Sequence, residues 1–90
     1  MSDTHTTQHA STPPSQEQLD QLDHLLIELG RDPSPEATLV LEHLSGVRTY
    51  WVEYMPLELA LNLELTRESL RPLPNPELKT RITGFLKIFR

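Results

Sequence analysis

Val47-Arg48-Thr49-Tyr50-Trp51-Val52-Glu53-Tyr54-Met55-Pro56-Leu57-Glu58-Leu59-Ala60-Leu61-Asn62-Leu63-Glu64-Leu65 decides the fold of this chain, because both halves of it support two readings. Residues 47–54 are rich in β-branched and aromatic side chains, as strands are. In residues 57–65 leucine alternates with Glu58, Ala60, Asn62 and Glu64, and a period of two marks a half-buried strand. A hairpin of 47–54 against 57–65 would then turn around Met55-Pro56. Composition argues the other way. Leu, Glu and Ala are strong helix formers, and no residue in 57–65 is β-branched or aromatic. Pro56 suits the first position of a helix, where its missing N–H costs nothing. The turn also lacks the Asn-Gly or Asp-Gly pair favoured in tight hairpins. On a helical wheel the five leucines spread over most of the circumference, which asks for burial on several sides. The helix is taken over the hairpin.

Upstream, Ser34-Pro35-Glu36 is a start signal: a capping serine, a proline at the first helical position, and a glutamate facing the positive helix end. Ala37, Val40, Leu44, Val47, Trp51 and Tyr54 then keep three/four spacing, which predicts one long helix over about 35–54. Gly46 falls inside it at a cost of roughly 1 kcal/mol relative to alanine. In the strand version the helix stops at Ser45-Gly46. Further upstream, Ser15 and Gln18 have the spacing of a capping box. Leu19, Leu22, Leu26 and Leu29 form a stripe with Leu25 beside it, predicting a helix over about 16–29. Gly30 is expected to supply a left-handed stop.

Downstream, Arg71-Pro72-Leu73-Pro74-Asn75 reads as a stiff connector. Asn75-Pro76-Glu77 repeats the second start signal. The last helix, about 76–89, gathers Leu78, Ile82, Phe85, Leu86 and Phe89 on one side and Lys79, Thr80, Thr83, Lys87 and Arg90 on the other. The expected fold is all-α: a small bundle of three to four helices at about 16–29, 35–54, 57–71 and 76–89. The alternative is α+β, with a hairpin at 47–54/57–65 packed on three helices. Residues 1–14, MSDTHTTQHASTPP, lack the apolar side chains that could offset their ordering entropy. They are expected to be a disordered tail, and residues 15–90 a single small helical domain.

The formal net charge is −5, unevenly placed. Residues 1–66 hold eleven acids against Arg31 and Arg48, whereas residues 67–90 hold six cations against Glu68 and Glu77. The simpler account is that the basic end packs against acids of its own fold. The sharper one is an anionic partner. The chain contains no cysteine, which excludes disulfides, thiolate catalysis and cysteine-based zinc sites. No apolar run approaches the roughly 18 residues of a membrane span, and the tail lacks the basic start and apolar stretch of a signal peptide. A cytoplasmic protein is the expectation.

Catalytic apparatus is not visible. The three glycines are isolated, and no GxSxG, HExxH or EF-hand pattern occurs. Asp20, His24 and Glu28 share one face at metal-ligand spacing, but such a trio on an exposed face is more commonly solvated surface. No enzyme activity, metal or cofactor is expected. By elimination and size, the function expected is a small protein-interaction or regulatory domain. It would bind a protein partner, or a second copy of itself, through a leucine- and aromatic-rich face. Tyr50, Trp51, Tyr54 and Met55 are the candidate anchors. Trp51 has a plainer reading as the core tryptophan. The alternative is a nucleic-acid-associated regulator using Lys79, Arg81, Lys87 and Arg90 of the last helix. Nucleic acid is disfavoured for a chain of net negative charge.

Overall fold

A computed structural model describes residues 13–89. Within them the chain forms four α-helices, α1 Gln16–Arg31, α2 Pro35–Val52, α3 Pro56–Leu70 and α4 Pro76–Leu86, followed by a 3-10 turn, Lys87–Phe89. There is no strand among the described residues, so the helical reading of 47–65 is the observed one. The expected disordered tail lies outside the described residues, apart from Pro13 and Pro14.

Each helix start obeys local chemistry. The Gln18 N–H donates to Ser15 Oγ at 3.1 Å, and the Ser15 N–H donates to Gln18 Oε1 at 2.9 Å, closing the capping box. Ser34 Oγ accepts from the Ala37 N–H at 3.2 Å, and Asn75 Oδ1 from the Leu78 N–H at 3.1 Å. Helix α3 has no side-chain cap and begins on Pro56 at its first position. The proline needs no partner there.

Three helix ends differ from expectation. The last is that of α4, which stops at Leu86 and gives way to the 3-10 turn Lys87–Phe89 where one helix over about 76–89 is predicted. Gly30 is not a left-handed stop: α1 runs through it to Arg31, and no described glycine has positive φ. The stop is Pro33. It holds Asp32 extended (φ −82°, ψ 123°), while the Asp32 N–H donates to the Leu29 carbonyl at 3.2 Å. Helix α2 ends at Val52 rather than at residue 54, because Tyr54 has φ 61° and turns the chain left-handed. The Met55 N–H then donates to the Tyr50 carbonyl at 2.9 Å, and the Tyr54 N–H to the Trp51 carbonyl at 3.3 Å. This is the Schellman arrangement, with tyrosine in the position glycine usually takes. A side chain in that region costs roughly 1 kcal/mol. Tyr54→Gly is therefore expected to raise stability by about 0.5–1 kcal/mol, read as a melting temperature a few degrees higher. An unchanged or lower melting temperature would mean that the tyrosine ring contributes contacts that offset its backbone.

The core is one cluster. Leu22, Leu25 and Leu29 of α1 meet Ala37, Val40, Leu44, Val47 and Trp51 of α2. Leu59, Leu63 and Leu70 of α3, Leu73 of the connector, and Leu78, Ile82, Phe85 and Leu86 of α4 complete it. Thr66 is fully buried, and its hydroxyl donates to the Asn62 carbonyl at 2.6 Å, so burial leaves no orphan. The closest helix pair is α2 with α3, an antiparallel hairpin. Gly46 explains that closeness. A Cβ placed on it would overlap Asn62 Oδ1 and lie 2.8 Å from Asn62 Cγ. The glycine in mid-helix thus trades helix propensity for close approach of the neighbouring helix.

Candidate functional site

The four aromatic and methionine candidates of 50–55 do not share one environment. Trp51 is only 3% exposed and stands edge-on to Phe89 at 4.8 Å and Phe85 at 6.3 Å. It is a core residue joining α2 to the C-terminal segment, so its ring is not on a surface that a partner could meet. Tyr50 is half-buried against the same core. Tyr54 and Met55 are exposed, Tyr54 at 61%.

Three residues not named as anchors from sequence stand with them. Val52 is exposed, Leu57 is 81% exposed, and Leu61 lies one turn beyond on the same face of α3. Of the seven large apolar side chains exposed among the described residues, these five fall within ten consecutive positions around the α2–α3 turn; the others are Ile27 and Leu39. The alternating leucines were the signal. Read as a helix, Leu59 and Leu63 face the core while Leu57 and Leu61 face away. The carboxylates interleaved with this patch, Glu53, Glu58 and Glu64, are exposed.

The basic candidates also divide. Arg81 Nη1 donates to both carboxylate oxygens of Glu28 on α1, at 2.8 and 2.9 Å. Arg48 Nε on α2 similarly binds Asp23 Oδ1 on α1 at 2.7 Å. Part of the positive charge thus does meet acids of its own fold. Lys79 Nζ donates to the Arg71 carbonyl at the end of α3, at 2.6 Å. Lys87 is exposed, and Arg90 lies outside the described residues.

Lys79 and Lys87 share a cavity of about 470 Å³ with Arg67 of α3 and Arg71, the residue just after that helix. Leu70, Thr83 and Leu86 complete its lining. Sequence reasoning places six cations in residues 67–90 but draws its basic candidates from the last helix alone, and so does not bring Arg67 and Arg71 into one site with them. The signal available was the reversal imposed by the proline connector, which returns α4 past the end of α3.

His24 lines a second cavity of about 340 Å³ between α1 and α4, with Gln21, Arg81 and Phe85 among its walls. Glu28, which shares the His24 face, is bound by Arg81. Among the described residues no three His, Asp or Glu side chains converge on a metal-sized site. No described helix is long and apolar enough to cross a membrane. No protein-family model, curated protein or solved structure matches this chain.

Proposed function

We propose that this protein is a small interaction module that docks a protein partner on the tip of the α2–α3 hairpin. The observation that carries the reading is the concentration of Val52, Tyr54, Met55, Leu57 and Leu61 at one end of an otherwise well-buried bundle. Clustered exposed apolar side chains are the usual mark of a protein contact, whereas scattered ones are not. Tyr54 adds to it. A residue held in a strained backbone conformation with its ring in solvent fits a role outside folding.

The rim defines the partner. Glu53, Glu58 and Glu64 carry one sign of charge, which calls for an apolar surface bordered by Lys or Arg. A two-fold contact between identical tips would set these carboxylates against their own counterparts. The partner is accordingly a protein of different sequence. The reading takes the module to be cytoplasmic; a chain without cysteine is compatible with that compartment as with any other.

Site-specific photo-crosslinking tests this in the full chain. A benzophenone side chain at position 57 is expected to capture one defined foreign protein, and the same group at Arg31 is expected not to. With that protein purified, Leu57→Asp should weaken binding by at least about tenfold with the helical spectrum unchanged. Equal labelling from both positions, adducts only with a second copy, or an affinity unmoved by Leu57→Asp would each refute the reading.

A further inference from the structure

We propose that the groove between the last turn of α3 and α4 binds a soluble amphiphilic anion: a phosphate or carboxylate head on a short apolar chain. The site is independent of the hairpin tip. It is built from two facing stripes. Residues 67, 70 and 71 recur at i, i+3 and i+4 on the end of α3, and 79, 83, 86 and 87 at i, i+4, i+7 and i+8 from α4 into the turn after it. Leu70 and Leu86 are buried and make the base, while Arg67, Arg71 and Lys87 are exposed at the edge and Lys79 is half-buried.

The charge is the main argument. The chain has eight Lys and Arg against thirteen Asp and Glu, yet four of the eight line this one groove and, among the described residues, no carboxylate does. Arg48 and Arg81 are paired with acids of α1. Lys79 is given to the carbonyl end of α3. The side chains of Arg67, Arg71 and Lys87 make no ion pair or hydrogen bond with the described residues. Like charges converging without partners disfavour the folded state, and an anion between them relieves the repulsion.

Size and lining narrow the ligand. About 470 Å³ lies in the range of small-molecule pockets, roughly 300–1,000 Å³. An apolar base with a cationic edge matches an apolar body and a charged head, so that neither half alone fills the site. Among the described residues no aromatic side chain lines the groove, and the stacking platform of single-strand nucleic-acid sites is not among its walls.

The test uses the full chain at low salt with three probes below micelle-forming concentrations: octyl phosphate, 1-octanol and inorganic phosphate. Binding is followed by titration calorimetry and amide chemical shifts. Octyl phosphate is expected to bind at least about tenfold more tightly than either other probe, with shifts centred on 67–71 and 79–87. Arg67→Gln/Arg71→Gln should weaken it by about tenfold or more. Arg31→Gln, which removes a charge that does not line the groove, should change it by less than about twofold. Lys87→Gln, a single exposed replacement, serves if the double variant loses helicity. Equal binding of octanol or of inorganic phosphate would overturn the proposal. So would an equal loss in Arg31→Gln, tighter binding of a single-stranded oligonucleotide, or binding only to phosphatidylglycerol vesicles.

Discussion

Trp51→Ala is expected to abolish the cooperative thermal transition of this domain. The indole is 3% exposed and meets Phe85 and Phe89 edge-on, so its removal empties a space that three elements share. Replacing a buried Phe or Trp by alanine costs about 3–5 kcal/mol. A domain of this size has roughly that much stability in total. The variant should therefore populate unfolded chain heavily at room temperature, seen as lost helical circular dichroism and a broad, early melt. Trp51→Phe keeps a ring against both phenylalanines and should retain a cooperative transition at a lower temperature. The pair of variants separates core from surface. A partner anchor would lose binding and keep its fold; a core residue loses the fold first. A wild-type melt for Trp51→Ala would return the tryptophan to the surface.

Gly46→Leu should cost about 2 kcal/mol or more, a fall of roughly 10 °C in melting temperature. The side chain would enter the seam between α2 and α3 where Asn62 already sits, and its better helix propensity, worth up to about 1 kcal/mol, does not offset the overpacking. The cause can be isolated. In Gly46→Ala/Asn62→Ala the obstructing amide is gone, and the Cβ of residue 62 lies 3.5 Å from the new methyl, an ordinary contact. That double variant is expected to be more stable than the natural chain by up to about 1 kcal/mol, while Gly46→Ala alone stays below it. Such a difference is the coupling that a double-mutant cycle measures by urea denaturation. If Gly46→Leu melts with the natural chain, the helices are not in close approach at this point.

Punctuation was the most legible part of the fold in the sequence. Ser15, Ser34 and Asn75 cap their helices because these side chains satisfy N–H groups close to them in sequence, whatever the tertiary context. The 47–65 stretch was harder, because its local signals and its burial disagree. Val47 and Trp51 continue the seam of Leu44, so packing overrode the strand preference of the β-branched and aromatic run. The five alternating leucines suggested burial on several sides. Instead Leu59 and Leu63 are buried, Leu65 is half-buried, and Leu57 and Leu61 remain in solvent. The misread ends have separate origins. Gly30 was assigned a stop that Pro33 provides, and Tyr54 adopts a left-handed conformation that its identity does not advertise. Of the candidate site, Tyr54 and Met55 were visible in the sequence, but the groove was not. It needs Arg67 and Arg71 beside Lys79 and Lys87, a neighbourhood created only by the path of the connector.

That connector sets the thermodynamics of anything entering the groove. Pro72, Pro74 and Pro76 each fix a backbone angle, and Leu73 between them is buried in the core. The Leu73 N–H donates to the Leu70 carbonyl at 3.1 Å, and Lys79 Nζ ties the start of α4 to the end of α3 at 2.6 Å. The two walls are thus held at a set spacing before any ligand arrives. Binding then orders a few long side chains and leaves the backbone as it was, so little entropy is lost to closing a loop. Affinity should answer chiefly to the heads and tails of the ligand, and the association should resemble filling a rigid cleft more than folding around a guest.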